Sequence, residues 1–329
     1  MAVNGVAWAD PVRRPESARL RSWYGVCASE ALRPGGVLSW KLGGKELVLF
    51  RAESGRVQAL SAHCAHMGAH LGQGTVSGEC LRCPLHHWRF DGGGTCRAAP
   101  GRPETVGRPL QRAWPVVERH GMVLVFNGPV SLFSPPELGD PGLLWRAAPP
   151  VTGDCAWLPM AVNAFDIEHL RTVHHRELRG APVLERPDPF TLRLRYTSRV
   201  TGTGASDRLM KALSGDHIRV AITLHGGTLL SVESDLGRTR SALLVGFRPG
   251  PAGGVSVLMS FAAPPGRIPG LARLRLSVSR WLFLSFLRRD LSVLNGMRLN
   301  PGGAAADPVL RQLLDFAAQL PEAPDDERG

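Results

Sequence analysis

The chain has 329 residues, 43% of them hydrophobic, which is enough to fill more than one core and too apolar for a disordered protein. Its formal net charge of +11 comes from arginine, since lysine occurs only at Lys41, Lys45 and Lys211. No basic run is interleaved with aromatics, which argues against a nucleic-acid surface and leaves a membrane surface, an acidic protein partner, or the plain reading of a genome of high GC content.

The opening MAVNGVAWADPVRRPES lacks the basic start and apolar core of a secretory leader. No unbroken apolar run reaches roughly 18 residues, so a cytoplasmic protein is expected. Six cysteines are too few for a disulfide scaffold, and four of them fall within residues 64–96 among histidines, where metal is the better reading. With 38 Gly and 27 Pro, many short strands are favoured over a helical bundle.

After an N-terminal segment, 1–21, residues 22–60 read as an antiparallel meander turning at Arg33-Pro34-Gly35-Gly36 and Gly43-Gly44. The Cys/His segment 61–96 follows, and a strand pair at Trp114–Glu118 and Met122–Phe126 closes a small all-β domain near residue 128. Turn formers crowd 129–155, read as a linker. The second domain, 156–322, reads as a helical stretch from Met160 to Leu178, then strands at Phe190–Val200, Ile218–His225, Thr228–Glu233, Arg240–Arg248 and Gly254–Ala263. A long helix over Ile268–Met297 and a short one over Pro308–Leu320 complete an α+β domain, before a disordered tail at 323–329. The basic-flanked stretch Arg280-Trp281-Leu282-Phe283-Leu284 would suit a membrane surface, but burial over the sheet is the expectation.

Two Cys-plus-His pairs, Cys64-Ala65-His66 and Cys83-Pro84-Leu85-His86, lie on adjacent glycine-rich loops. The stretches HMGAHLGQG (66–74) and CPLHHWRFD (83–91) resemble the loops of the Rieske iron–sulfur family over their whole length. The resemblance implies a [2Fe-2S] cluster held by Cys64, His66, Cys83 and His86, two thiolates on one iron and two imidazoles on the other. It departs at His87, where many members have Gly. The competing reading is a zinc site built from Cys64, Cys80, Cys83 and a histidine, because Cys80-x-x-Cys83 has knuckle spacing. Cys27, Cys80, Cys96 and Cys155 read as plain thiols.

A Rieske domain alone carries electrons. Whether this chain is also a catalyst depends on Asn163-Ala164-Phe165-Asp166-Ile167-Glu168-His169-Leu170-Arg171-Thr172-Val173-His174-His175. The segment resembles the mononuclear-iron motif of Rieske non-haem iron oxygenases, nearest the ketosteroid 9-alpha-hydroxylase and cholesterol desaturase type. The resemblance implies His169 and His174 as iron ligands, with Asp290 on the long helix as the third. Two histidines and one carboxylate leave open positions for O2 chemistry at Fe(II). Residues five apart do not share a face of an ideal helix, so the helix must deform here, as a wide i→i+5 turn would allow. By spacing alone His175 competes with His174, and the family pattern selects His174. Asp235 and Asp307 are weaker carboxylate candidates, and an exposed pairing of Asp290 with Arg288 or Arg289 is the bland alternative.

In the family, the aspartate at the position of Asp166 bridges the mononuclear site to a cluster histidine, here His86, of a neighbouring subunit in a homotrimer. Its plain reading is a helix N-terminal acid favoured by the dipole. The resemblance further implies an all-β Rieske domain joined to an antiparallel-sheet catalytic domain of helix-grip type. It implies electrons from NAD(P)H through a ferredoxin or ferredoxin reductase, and O2-dependent hydroxylation, demethylation or desaturation of a hydrophobic, polycyclic or aromatic substrate. Phe165, Leu170, Leu192, Leu194, Ile222, Leu224, Leu243 and Val245 are candidate pocket residues. The rival readings are a ring-dihydroxylating oxygenase and a Rieske electron-transfer protein with a non-catalytic binding domain.

Overall fold

A computed structural model of the chain describes residues 19–139, 142–215, 217–237, 239–250, 253–265 and 270–323. Most of the expected N-terminal segment and tail therefore lie outside the described residues.

In the first half β1 (Trp23–Ala28) stands apart from the strands that follow it. A meander is formed by β2 (Val37–Leu42), β3 (Lys45–Arg51) and β4 (Val57–Ser61), and a second sheet by β5 (Thr75–Ser77), β6 (Cys80–Arg82), β7 (Arg89–Phe90) and β8 (Cys96–Ala98). Then come β9 (Val116–Arg119) and β10 (Met122–Phe126), and β1 pairs with β10, Trp23 opposite Phe126. The expected single meander over 22–60 is thus corrected. The reason is burial: Trp23, Tyr24 and Val26 are all buried, and β10 is buried along its whole length while β2 is half exposed.

Residues 129–155, expected as a linker, contain β11 (Leu144–Ala147) and β12 (Val151–Gly153). The expected helix from Met160 to Leu178 is two helices and a strand: α1 (Trp157–Phe165), α2 (Ile167–Thr172) and β13 (Arg176–Leu178). Asp166 breaks it by adopting an extended backbone, φ −79° and ψ 109°, and capping α2. There follow β14 (Val183–Asp188), β15 (Thr191–Val200), α3 (Ala205–Ser214), β16 (Ile218–His225), β17 (Leu229–Asp235), β18 (Arg240–Pro249), β19 (Val255–Ala263), α4 (Leu271–Leu294), α5 (Pro301–Ala304) and α6 (Pro308–Ala318). Of these, β14, α3 and α5 are not anticipated from the sequence.

The second half is built on a nine-stranded antiparallel sheet in the order β11-β19-β18-β17-β16-β15-β13, with β12 paired to β19 and β14 to β15. Its register puts Ile222, Val232, Leu243 and Phe261 in one cross-strand row and Leu224, Leu230, Val245 and Met259 in the next, all on one face. That face packs with α1, α4 and α6 into the largest core. The opposite face offers Leu229, Leu244 and Leu258, which pack with Trp23, Met122, Leu124 and Phe126 of the first half. Being covered on both sides, β19 is buried at every position rather than alternating. Where β1 crosses β18, a Cβ on Gly246 would lie 3.4 Å from the Cα of Gly25, so the close approach of the two sheets relies on a pair of glycines.

Candidate functional site

The two Cys/His loops share one backbone design. The Cys64 N–H donates to the Ala69 carbonyl (2.9 Å) and the Gly68 N–H returns to the Cys64 carbonyl (2.8 Å). On the second loop the Cys83 N–H donates to Trp88 (2.8 Å) and the His87 N–H to Cys83 (3.2 Å). Gly68 and His87 are therefore equivalent, and both have left-handed backbones, φ +74° and +60°. The histidine noted as a departure occupies a position at which glycine is unstrained.

The design brings the four predicted donors together at the loop tips. Cys64 and Cys83 are buried in one apolar cluster, close enough for the Cys83 thiol to act on that of Cys64. The His66 and His86 rings stand 4.8 Å apart, and Trp88 stacks on His66 at 4.3 Å with 4° between planes. Nδ1 of His66 is buried without a hydrogen-bond partner among the described residues. Burial pushes the Cys64 thiol up to about 11, and the neighbouring Cys83 adds to the shift. Two neighbouring buried thiols, beside an imidazole nitrogen with nothing to bond, fit a cationic cluster that takes thiolates and imidazoles. Cys80 does not join Cys64 and Cys83 in a close group of donor atoms among the described residues, against the zinc reading. Cys96 and Cys155 are buried core thiols.

Gln111 holds the first loop and was not foreseen. Its Nε2 donates to the carbonyls of Ser61 (2.7 Å) and His63 (2.8 Å), and its Oε1 accepts the Ala65 N–H (2.9 Å). No pattern in the sequence marks a lone glutamine twenty residues past the second loop, 83–91. The indole N–H of Trp114 donates to the Ser61 hydroxyl close by (3.2 Å).

The second group of donors is His169, His174 and Asp290. His169 Nε2 lies 2.9 Å from Asp290 Oδ1 and 3.2 Å from His174 Nε2, and His174 Nε2 lies 2.8 Å from the same Oδ1. Ligand bonds of about 2.1 Å at right angles separate cis donors by about 3.0 Å, so these three atoms already have the spacing of one face of an octahedron. The donor set fits a single Fe(II) ion.

The five-residue spacing is met by ending the helix rather than widening it. In α2 the N–H of Val173 still bonds the His169 carbonyl (2.9 Å), but His174 follows the helix and His175 takes φ +52°. The expected i→i+5 turn is thereby corrected. His174 turns inward to 7% exposure while His175 is exposed, which removes the competitor. The Phe286 ring packs T-shaped against the His174 imidazole, 5.0 Å between centroids and 65° between planes.

Asp290 arrives from α4. Along that helix Phe283, Leu287 and Leu294 pack into the main core, and Asp290 falls in the same stripe three residues after Leu287 and four before Leu294. Burial raises its carboxyl, but the two imidazoles bonded to Oδ1 outweigh burial and hold it down to about 2. It is a carboxylate at any physiological pH, as a metal ligand must be. The surface pairing with Arg288 or Arg289 is not made; Arg289 instead approaches Asp207, Nη2 to Oδ2 3.7 Å. Asp307 caps α6 and Asp235 lies 3.6 Å from Arg219, so neither reaches the group.

Asp166 is one step back from the group. Its Oδ1 accepts the N–H groups of Glu168 (2.8 Å) and His169 (3.0 Å), fixing the start of the turn that carries His169.

His169, His174 and Asp290 line a cavity of about 740 Å³ between α4 and the inner face of the sheet. Of the candidate pocket residues, Leu170, Ile222, Leu243 and Val245 line it. Phe165, Leu192, Leu194 and Leu224 do not; they are core, at 3% exposure or less.

Residues 22–115 match the family Rieske [2Fe-2S] domain. The chain is 34% identical over 163 residues to cholesterol 7-desaturase of Bombyx mori, covering 47% of this chain and 36% of that protein. It is 34% identical over 121 residues to a 3-ketosteroid-9-alpha-monooxygenase, oxygenase component, of Rhodococcus rhodochrous, covering 37% of this chain and 32% of that one. The chain thus matches only about a third of the length of these relatives. Among solved structures its fold matches that of dicamba monooxygenase bound to dicamba, with a TM-score of 0.67 and 19% identity over 92% of this chain and 98% of that one.

Proposed function

We propose that this chain, a Rieske domain on the fold of a Rieske oxygenase, is the terminal oxygenase of a Rieske non-haem iron system. In this reading it hydroxylates, demethylates or desaturates a hydrophobic substrate with O2. The observation that carries the reading is the convergence of His169, His174 and Asp290 to 2.8–3.2 Å at the wall of an apolar cavity. Two nitrogens and one oxygen on one face of an ion leave its other face open toward that cavity.

When bound, a Rieske cluster supplies single electrons and an iron in a facial triad supplies the place where O2 and substrate meet. The protein's own part is to keep Asp290 ionised, to hold the two imidazoles by the Asp166 cap and the Phe286 ring, and to line the space with side chains that seat an apolar molecule and exclude water. A cavity of about 740 Å³ takes a ligand of polycyclic size.

The exposed tip of the cluster loops, with His86 flanked by Met67 at 67% and Leu85 at 52% exposure, suits docking of a partner. A ferredoxin or ferredoxin reductase drawing on NAD(P)H is the electron donor in this reading. The same tip is the place for a neighbouring subunit of a homotrimer, in which Asp166 would link His169 to that neighbour's cluster. Among the described residues no helix is long and apolar enough to cross a membrane.

The test is a single turnover. Protein with its cluster reduced in advance is mixed with O2 and each of a panel of hydrophobic substrates. Product should form in amounts matching the loaded triad and should vanish in His169→Ala with the cluster spectrum unchanged. Reoxidation without product across the panel, in protein holding only cluster iron, would identify an electron carrier instead.

A further inference from the structure

Arg176 opens β13, and its side chain is part of the cavity wall beside the triad. It is 4% exposed, and its Nη1 has no hydrogen-bond partner among the described residues. The contact it does make is with the face of Phe286, 5.4 Å from guanidinium carbon to ring centroid. The same ring packs T-shaped against His174, so one phenyl group lies between the cation and the His174 ligand position.

A guanidinium cannot lose its charge to escape burial, and a buried unpaired charge costs several kcal/mol. The neighbourhood does not supply a full counter-charge. Tyr196 is the strongest electrostatic neighbour of Arg176, but burial raises its phenol and keeps it neutral; the acid in reach is Asp207, 1% exposed, and Arg289 draws on it too, at 3.7 Å. One of its oxygens also accepts the Gly204 N–H (3.2 Å). Asp290 is committed to His169 and His174. Asp207 accepts a hydrogen bond from neither guanidinium: its Oδ1, like Nη1 of both arginines, is buried without a partner among the described residues, so the charge of Arg176 is not paired locally and the cavity is where it can meet its complement. On the α4 side the hydroxyl of Ser279, also lining the cavity, is buried without a partner. Both are unpartnered polar atoms in a lining that also holds Arg240 and Arg275 and is otherwise mostly Leu, Ile, Val, Met and Phe.

We infer that Arg176 is an anion-binding residue of this cavity and that the ligand is an apolar molecule carrying a carboxylate. The guanidinium takes the carboxylate through paired N–H donors, and the hydrocarbon body lies along Ile222, Leu243 and Val245 toward the triad. The inference rests on the oxygenase reading of the cavity and narrows its substrates from hydrophobic molecules to hydrophobic acids. It also gives the substrate a fixed end, which sets which carbon faces the triad.

The test is a calorimetric titration of the cluster-loaded protein, without oxygen or reductant, using 2-naphthoate and its neutral counterpart 2-naphthamide. Naphthoate should bind at least about ten-fold more tightly, the size expected for charge-assisted hydrogen bonds in a buried site. Arg176→Gln should erase that preference. Arg176→Lys should keep part of it, since the charge remains but the paired geometry does not. Equal affinity for the two probes, binding of neither to the wild-type protein, or a preference that survives Arg176→Gln would overturn the inference. Should Arg176→Gln fail to fold, the wild-type ratio and Arg176→Lys decide. Iron content separates the two readings. A carboxylate preference in protein lacking a third iron leaves the anion site standing without the oxygenase; three irons with no preference do the reverse.

Discussion

Replacing Gln111 with Ala should loosen the cluster while leaving the fold intact. The side chain makes three hydrogen bonds to the backbone around Cys64, two as donor and one as acceptor, at 2.7, 2.8 and 2.9 Å. At about 1 kcal/mol net for each, the loop loses at most about 3 kcal/mol, and the loss is least recoverable at the Ser61 carbonyl, where the bond is fully buried. His63 and Ala65 are exposed enough for water to take over their groups. A 3 kcal/mol loss raises the population of opened loop about a hundred-fold. The assay follows bleaching of the visible cluster absorbance in excess chelator. Gln111→Ala should lose its cluster between ten-fold and a hundred-fold faster than wild type, and Gln111→Glu should behave similarly, because a carboxylate cannot donate to the two carbonyls. Gln58→Ala, which removes a single long contact to the Glu79 carbonyl (3.5 Å), is the control. Cluster loss at the wild-type rate in Gln111→Ala would refute the clamp.

His225 is 9% exposed and bonded to the Ser231 hydroxyl (3.1 Å); burial, helped by Arg193, lowers its pKa to about 4. The unfolded chain takes a proton near pH 6.5 and the folded one does not until about pH 4, so stability present above 6.5 is lost as pH falls through that window, by at most about 3 kcal/mol. Melting curves of His225→Asn against wild type should converge as pH falls, and a constant difference would refute the assignment. His87→Gly, relieving φ +60°, should stabilise the protein by about 0.5–1 kcal/mol despite losing the exposed bond from Arg82 Nε (3.1 Å); a lower melting temperature would contradict it. Asp166→Asn keeps an N-cap acceptor and should leave both centres loaded and the melting temperature nearly unchanged, whereas Asp166→Ala should cost about 1 kcal/mol. If Asp166 also carries electrons between subunits, Asp166→Asn alone should slow product formation, and normal turnover in it would remove that role.

The two cluster loops are readable because their chemistry is local: each pair of donors and its turn lies within six residues. The late strands β15 to β19 and the helix α4 are also close to their expected spans, since long apolar segments between Gly turns carry their own signal. What fails is what distance decides. Nothing in Trp23–Ala28 says that its partner is Met122–Phe126 rather than the next strand, because that choice follows from which strands end up covered on both faces. The break at Asp166 is hidden because MAVNAFDIEHLRT keeps a helical pattern through it, and only the cap shows that one helix ends and another starts. Asp290 had a signal beyond the resemblance: an acid in the stripe of Phe283, Leu287 and Leu294 is costly unless it has partners. Arg176 had none. Its burial depends on Phe286 and on where β13 sits, and neither is written near it.

That the proposed oxygenase holds two separate iron centres is tested most directly by iron and acid-labile sulfide counted per chain. Wild type should contain about three irons and two sulfides, and His174→Ala or Asp290→Ala about two irons with the sulfide and the cluster spectrum unchanged. Two irons in fully loaded wild-type protein, with no further loss in either variant, would contradict it.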